Sequence, residues 1–208
     1  MSKYEFEVFL SYRRGQRLEP GGDWPLDRDG EWVHKVFFPE FKHWLEQEYP
    51  GARIAFDRDL PPGQLWKNTL KHWLRHSKCL VAVWNPLYFR SPLCRSEFHS
   101  MLERQKKHMP EHAEGPGLVL PAVYADGKWF DDEAQALQFF KSFSEFSRYA
   151  GPIRQDEVAH AKFATAMQEF CGWVARSIES APPYDSTFSW CDADPLPPAH
   201  AYDVPRLQ

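Results

Sequence analysis

The chain has 208 residues, with 25 Lys and Arg against 29 Asp and Glu, a net charge of −4 and 43% hydrophobic residues. This length favours one domain with at most a short appendage. The weakly acidic charge offers no general attraction to phosphate backbones, and no run of Lys and Arg exceeds two residues, so nucleic-acid binding is disfavoured. Because no apolar run is long enough to cross a bilayer and no apolar signal core follows Met1, we expect a cytoplasmic protein without a membrane partner.

The cysteine and histidine spacings give little support for a metal or disulfide framework. The four cysteines form no C-x-x-C pair and have no histidine at zinc-finger spacing; they are Cys79, Cys94, Cys171 and Cys191. His72 and His76 stand one helical turn apart, but no third ligand is visible in the sequence, so a solvated helix face is favoured. We therefore predict no metal site and no prosthetic group.

The first quarter of the chain begins with a strand and continues into a helix. Apolar residues alternate with polar ones over residues 4–12, which predicts a strand that becomes more buried toward its end. Glycine and proline among charged residues predict a long loop over residues 13–30. Helical spacing of apolar residues predicts a helix over residues 31–49, with Pro39 kinking it or marking a restart.

The middle of the chain alternates between strand and helix patterns. A short strand is predicted over residues 53–56, followed by a structured loop over residues 57–63. An amphipathic helix is predicted over residues 64–77, and the continuous apolar run over residues 79–84 is typical of a central parallel strand. Ser91 and Pro92 provide an N-cap and a first-turn proline for a helix that extends to about Lys107.

The last third contains three more elements and a proline-rich tail. A strand is predicted over residues 118–124, a short helix over residues 131–141 and a long helix over residues 156–178. The tail has six prolines, which exclude regular helix or sheet over most of its length. Its many large apolar residues indicate that it packs along the domain or against a second protomer.

The order of these elements predicts an α/β fold with a parallel sheet covered by helices on both faces. In open sheets of this kind, ligands bind beyond the carboxyl ends of the strands. Residues 11–14, 57–63 and 85–91 should gather at that edge, and we predict the functional cleft there.

Three sequence blocks occur in a characteristic order. They read EVFLSYRR at residues 7–14, FDRDLPPG at residues 56–63 and SPLCRSE at residues 91–97. The blocks resemble the first strand, the long loop after the second strand and the S-x-W-C-x-x-E signature of the Toll/interleukin-1 receptor (TIR) domain family. The similarity extends from residue 4 to about residue 178, so we predict a TIR domain over residues 1–178 and a separate tail over residues 179–208.

The resemblance implies a flavodoxin-like fold that self-associates through its loops. In enzymatic members of the family it also implies cleavage of the nicotinamide–ribose bond of NAD, with the signature glutamate essential. That role falls on Glu97, with NAD as substrate. The resemblance to stand-alone bacterial members further implies that this protein acts in antiphage defence, together with a sensor or effector protein of the same system.

Leu93 is a departure from the family pattern, because it stands where tryptophan is usual. Trp84, Tyr88, Phe89 or Trp66 would then have to stack on the nicotinamide ring. Arg13 or Arg14 is expected to contact the pyrophosphate as a bidentate donor. The full set of predicted substrate-binding residues is Ser11, Tyr12, Arg13, Arg14, Trp84, Tyr88 and Leu93. The predicted assembly loop is Asp57, Arg58, Asp59, Leu60, Pro61, Pro62 and Gly63.

The chemistry of NAD makes one glutamate sufficient. Nicotinamide leaves a pyridinium as a neutral ring without a proton, so a single carboxylate can stabilise the oxocarbenium-like sugar. Glu97 shares a helix face with Leu93 and Met101, and such surroundings raise a carboxyl pKa by desolvation. From spacing alone, a solvated helix glutamate paired with Arg104 or Lys71 is favoured over a catalytic one, and the family resemblance reverses that preference.

Several alternatives stay open at this point. A Cys94 nucleophile is disfavoured because no histidine base is identifiable and its position favours core packing. The chain could instead be a non-catalytic adaptor that binds other TIR domains, or an enzyme similar to nucleoside deoxyribosyltransferases. The sequence also leaves open whether water, an adenine nitrogen or another molecule intercepts the sugar cation, so hydrolase, cyclase and transferase all remain possible.

Overall fold

In a computed structural model of the chain, five strands form a single sheet between two layers of helices. The structure describes residues 3–14, 28–57, 66–109, 115–125, 130, 132–137, 141–149, 153 and 156–192. The elements in chain order are β1 Phe6–Tyr12, α1 Arg28–Trp32, a π-helical turn Val33–Phe37, α2 Phe38–Glu48, β2 Ile54–Ala55, α3 Trp66–Arg75, β3 Ser77–Trp84, α4 Pro92–His108, β4 Val119–Val123, α5 Asp132–Ala136, β5 Lys141–Ser142, a 3-10 turn Ser144–Phe146 and α6 Glu157–Ser180.

The sheet is parallel throughout, with strand order β2-β1-β3-β4-β5. β1 pairs with β2 on one side and with β3 on the other. The apolar run of β3 occupies the middle of the sheet, as the sequence predicts. This order is flavodoxin-like, and it places a topological switch point between β1 and β3, where the chain first extends the sheet on one side and then on the other.

Alternation along the strands divides the core into two layers. Val8 and Leu10 of β1 face α2 and α6, whereas Phe9 faces α3 and α4. Successive side chains of a strand point to opposite faces, so both faces of a central strand must be apolar. The predicted arrangement of helices on both faces is confirmed.

Pro39 changes the helix around it. The N–H of Phe38 donates to the carbonyl of Val33, five residues earlier, which is the hydrogen bond of a π-helical turn. Proline has no N–H and its ring crowds the carbonyl four residues earlier, so the hydrogen-bond pattern shifts just before it and α2 restarts. The helix begins at Arg28, which corrects the predicted loop at residues 28–30; residues 15–27 lie outside the described part of the chain.

The start of α4 follows the predicted capping. Ser91 has extended backbone angles, its hydroxyl accepts from the N–H of Cys94, and Pro92 occupies the first turn. This satisfies one of the four N–H groups that have no partner inside the helix. The cap fixes where the helix begins, and therefore where the side chains of its second turn lie.

The predicted helix over residues 131–141 is wrong at its end. α5 stops at Ala136, and Lys141 and Ser142 form the edge strand β5, paired with Ala122 and Val123 of β4. Two residues of this composition carry no local strand pattern. Their conformation is set by the hydrogen-bonding edge of β4, which no local window of sequence can reveal.

The described part of the tail, residues 181–192, packs on the domain beside α3 and α4. The Phe188 ring centre lies 4.0 Å from the Arg104 guanidinium, and the Asp185 carboxylate is 2.8 Å from the Lys107 ammonium. The N–H of Cys191 donates to the Ser100 hydroxyl. Residues 193–208 lie outside the description, and the predicted domain boundary at residue 178 stays a prediction. Among the helices that the structure describes, none combines the length and apolar character needed to cross a bilayer.

Candidate active site

A cavity of about 530 Å³ opens where β1 ends, between α3 and the first turns of α4. Its position beyond the carboxyl ends of the strands, beside the switch point, is the position predicted from the sequence. The lining residues are Phe9, Leu10, Ser11, Tyr12, Arg14, Asp57, Trp66, Lys67, Leu70, Ser91, Pro92, Leu93, Cys94, Ser96, Glu97 and Asp192. The wall is mainly apolar with a few converging polar groups, which is the usual character of a small-molecule site.

A chain of three side chains leads from the core to this cavity. The Ser11 hydroxyl donates to Glu97 Oε2 at 2.5 Å, and the Tyr88 hydroxyl lies 2.8 Å from Ser11 Oγ. Because a serine hydroxyl has one proton and gives it to the carboxyl group, the Tyr88 hydroxyl must donate to Ser11. Tyr88 is completely buried and Glu97 is only 3% exposed. The buried Tyr88 and Ser11 hydroxyls therefore hold the Glu97 carboxyl group in one orientation.

Two elements bring Ser11 and Glu97 together. Ser11 follows Phe9 by two residues on β1, so its side chain points to the same face of the sheet as Phe9, toward α4. Glu97 lies in the second turn of α4, six residues after its N-cap. The predicted pairing of Glu97 with Arg104 or Lys71 is wrong. Arg104 donates to the backbone carbonyls of Ser77 and Arg75, and Lys71 faces Asp192.

Burial dominates the electrostatics of Glu97. Desolvation raises the pKa of its carboxyl group to about 8, the Ser11 hydrogen bond opposes this increase, and the negative charge of Asp57 adds to it. Removing a carboxylate from water penalises its charged form, as the sequence predicts for a glutamate on an apolar helix face. A perturbed carboxyl group at a cavity is a frequent property of catalytic sites.

Asp57 organises a second polar cluster at the mouth. The Tyr12 hydroxyl donates to the Asp57 carboxylate at 2.9 Å and lies 2.8 Å from His34 Nε2. Arg14 Nη1 is 3.4 Å from Asp57 Oδ2. Burial and the neighbouring Asp57 charge both raise the pKa of Tyr12, so its hydroxyl keeps its proton. Asp57 is held by its own domain here, and the assembly role of residues 58–63 lies outside the described residues.

The aromatic side chains predicted to stack on a ligand are distributed unequally. Trp84 and Tyr88 are completely buried and Phe89 is 4% exposed, and none of these three lines the cavity. Trp84 instead packs edge-on against Phe89 at a ring-centre distance of 5.1 Å. Trp66 does line the cavity and is 44% exposed. Of the four aromatic candidates, Trp66 is the one that lines the cavity.

Some of the other predicted substrate-binding residues line the cavity and some do not. Leu93, at the position usual for tryptophan, lines the cavity, as does Arg14, whereas Arg13 does not. From residues 85–91, only Ser91 reaches the cavity wall; Asn85 instead bonds Asp29 and accepts from the N–H of Tyr88.

Cys94 behaves as a packing residue with a protonated thiol. Its side chain is 3% exposed in the α3/α4 layer of the core. Burial, which is the largest effect, raises the pKa of the thiol, and the nearby Glu97 adds to it. A thiol in such surroundings is a poor nucleophile, which agrees with the packing role predicted from the sequence.

Two charged residues line the cavity although the sequence did not predict them there. Lys67 lies in the first turn of α3, and Asp192 arrives from the tail. Lys67 precedes the apolar stripe of α3, so its closeness to the predicted cleft could have been inferred from strand order. No local signal marks Asp192, because its place depends on how the tail crosses α3 and α4.

The comparison with known families agrees with the fold and with the three sequence blocks. A sequence model described as TIR domain matches residues 8–148, about two thirds of the chain. The chain belongs to the TIR domain family. Its five-stranded parallel sheet with helices on both faces is the α/β, flavodoxin-like TIR fold.

Two solved TIR domains have low sequence identity and low structural similarity to this chain. The TIR domain of the Toll-related receptor TRR-2 from Hydra magnipapillata is 13% identical, with a TM-score of 0.47, over 78% of this chain and 98% of that one. The TIR domains of the activated Roq1 resistosome, which directly recognises the effector XopQ, are 21% identical with a TM-score of 0.40. That alignment covers 82% of this chain and 84% of the other. No curated protein matches the chain.

Proposed function

We propose that this TIR domain is an enzyme that cleaves the nicotinamide–ribose bond of NAD, with Glu97 as the catalytic residue. One observation carries the proposal. The Glu97 carboxyl group is buried at the wall of a cavity of about 530 Å³ and is oriented by the Ser11 hydroxyl at 2.5 Å. A cavity of this size lies within the range of small-molecule sites, roughly 300–1,000 Å³.

The reaction needs little more than this carboxyl group. When the bond from ribose C1′ to the pyridinium nitrogen breaks, both electrons stay on nitrogen, so the leaving nicotinamide is neutral and requires no acid. The positive charge passes to C1′ and the ring oxygen of ribose. A fixed carboxylate beside this cation stabilises the transition state more than the ground state because it is already oriented. Water, an adenine nitrogen or another nucleophile then forms the new bond to C1′, and water loses a proton in doing so.

The remaining lining residues suit the nicotinamide ring and the pyrophosphate of the dinucleotide. Trp66 and Leu93 give an apolar wall for the nicotinamide ring near Glu97. Arg14 and Lys67 place two cationic side chains at the same cavity, and guanidinium and ammonium groups are the usual partners of phosphate oxygens. Binding of the pyrophosphate by Arg14 would compete with its 3.4 Å contact to Asp57.

The pKa of Glu97 makes the reaction dependent on pH. Catalysis uses the carboxylate, and burial raises the pKa of the free group to about 8. The rate at low NAD concentration should therefore rise through this pH range as the carboxyl group ionises. A bound pyridinium carries a positive charge, which favours the ionised carboxylate, so the increase should lie at lower pH when NAD saturates the site.

The wider role is part of the same proposal and rests on family membership. We place the enzyme in bacterial antiphage defence, where it self-associates through TIR surfaces and either acts on NAD directly or releases an NAD-derived nucleotide signal. Residues 57–63 are the proposed self-association loop.

The experiment follows nicotinamide release from NAD by the purified full chain over a wide range of protein concentrations. We expect release by the wild type and at least a hundredfold loss in Glu97→Gln. Glu103→Gln is the matched control, since Glu103 lies on the same helix but is exposed and paired with Lys106. Absence of release at every protein concentration would reject the enzyme and leave the TIR–TIR adaptor. Base exchange on deoxynucleosides without NAD turnover would favour the deoxyribosyltransferase alternative.

A further inference from the structure

We propose that Glu5, His72 and His76 form a binding site for a divalent cation of the zinc type. Each residue offers one ligand atom, and the three atoms lie within 4.8 Å of one another. His72 Nε2 is 3.1 Å from one Glu5 carboxylate oxygen, and His76 Nε2 is 3.9 Å from the other. The sequence shows no third ligand beside the two histidines; in the fold Glu5, directly before β1, supplies one.

Backbone hydrogen bonds hold the three ligands together. The N–H of His76 donates to the carbonyl of His72, which continues the helical pattern just past α3 and keeps the two imidazoles on one face. The N–H groups of Glu5 and Phe6 both donate to the carbonyl of His76, at 2.9 and 3.1 Å. The separation between the backbones of Glu5 and the two histidines is therefore fixed by main-chain hydrogen bonds.

The tautomer of His76 is the one that metal binding requires. His76 Nδ1 is 2.8 Å from the carbonyl oxygen of His72, and a carbonyl can only accept, so Nδ1 carries the proton. The lone pair of the ring is then on Nε2, which accepts from the Tyr184 hydroxyl at 3.1 Å and lies 3.9 Å from a Glu5 carboxylate oxygen. An N–H to a backbone carbonyl on the far side of the ring is the usual support of a metal-binding histidine.

The donor set selects the class of cation. Two imidazole nitrogens with one carboxylate suit Zn²⁺, whereas Mg²⁺ and Ca²⁺ prefer oxygen ligands throughout. Tetrahedral zinc with bonds of about 2.0–2.1 Å needs ligand atoms about 3.3 Å apart. The three ligand atoms lie within 4.8 Å of one another, so small side-chain rotations would have to draw them together around the cation. A cation bound to His76 Nε2 would replace the hydrogen bond from the Tyr184 hydroxyl, which is 3.1 Å away.

The site is separate from the candidate active site. α3 runs between the two, with Trp66 and Leu70 lining the cavity at its beginning and the histidines at its end. A cation here would join the start of β1 to the end of α3, next to Tyr184 of the tail. Its expected effect is stabilisation of the fold by binding to the native state alone.

The test is a Zn²⁺ titration of the untagged full chain in competition with a chromophoric chelator. We expect one equivalent to bind with micromolar or tighter affinity, and His72→Ala and Glu5→Gln each to weaken it at least tenfold. His43→Ala is the control, because His43 is an exposed histidine on α2 outside the cluster. The thermal midpoint should rise with Zn²⁺ in the wild type and in His43→Ala but not in His72→Ala.

Circular dichroism separates loss of binding from loss of folding. The His72 side chain is 49% exposed, so its removal should leave the spectrum unchanged. The proposal is overturned if no stoichiometric Zn²⁺ binding occurs at micromolar concentration, or if folded His72→Ala binds as tightly as the wild type. The cluster would then be an ion-paired group only. Nicotinamide release is not part of this test, so its outcome leaves the proposed enzyme activity unaffected.

Discussion

Replacing Glu97 with glutamine should stabilise the protein at neutral pH, and increasingly so as the pH rises. Burial raises the pKa of the folded carboxyl group from its ordinary value of 4.5 to about 8. Between these two values the unfolded chain has lost the proton and the folded chain still holds it. Unfolding therefore releases a proton, and rising pH favours the unfolded state. Glutamine does not titrate and can still accept the Ser11 hydrogen bond through its amide oxygen.

The size of the effect follows from this interval. Each pH unit between the two pKa values changes the free energy of unfolding by about 1.4 kcal/mol. The stability that Glu97 provides is fully present below pH 4.5 and is lost by about pH 8. The whole interval corresponds to a loss on the order of 5 kcal/mol. This is a large part of the total stability of a domain, which is about 5–15 kcal/mol.

The assay is urea unfolding of the wild type, Glu97→Gln and Glu103→Gln at several pH values between 5 and 9. The difference in unfolding free energy between Glu97→Gln and the wild type should grow by up to about 1.4 kcal/mol per pH unit and level off above pH 8. Replacing Glu103, which forms an exposed pair with Lys106, should change stability by at most about 1 kcal/mol. If the unfolding free energies of Glu97→Gln and the wild type changed in parallel with pH, the conclusion that the buried Glu97 carboxyl group keeps its proton would be refuted.

Three further substitutions test the contacts of the site, the start of α4 and the packing of the core. Ser11→Ala removes the hydrogen bond that opposes the raised pKa of Glu97, so the pH–rate profile of nicotinamide release should move upward by about one pH unit. Ser91→Ala removes the N-cap of α4 and should lower the unfolding free energy in urea by about 1 kcal/mol. Phe170→Ala empties part of the core between α2 and α6, and should lower it by about 3–5 kcal/mol.

Each of these expectations has a contradicting result. A Ser11→Ala profile that coincides with the wild type would show that the serine does not hold the Glu97 carboxyl group. An unchanged unfolding midpoint in Ser91→Ala would remove the role of the cap. A loss below about 1 kcal/mol in Phe170→Ala would mean that the aromatic layer is loosely packed.

Much of the architecture is readable from local patterns. The apolar run of β3 is buried on both faces, so its sequence is continuous rather than alternating and marks the centre of the sheet. Ser91 and Pro92 determine where α4 begins. The position of Glu97 on an apolar helix face predicts the direction in which its pKa shifts, because burial is the largest cause of the increase.

The features that could not be read depend on contacts between distant segments. β5 is a strand only because the edge of β4 pairs with it. The hydrogen bond from Ser11 to Glu97 joins residues 86 positions apart. Glu5 reaches His72 across 67 positions, and no spacing rule relates the start of one strand to the end of a later helix. These three contacts can be inferred only when the order of the strands and the directions of their side chains are known.

The central claim is that Glu97 is needed to break the bond between nicotinamide and ribose. Proton NMR of NAD incubated with the protein tests it most directly, because substrate and product are observed in the same spectrum. In the wild-type sample we expect the signals of the ribosylated pyridinium to decline while those of free nicotinamide rise in equal amount. With Glu97→Gln at the same concentration, the spectrum should stay that of intact NAD. Equal rates of nicotinamide formation by folded Glu97→Gln and the wild type would contradict the claim.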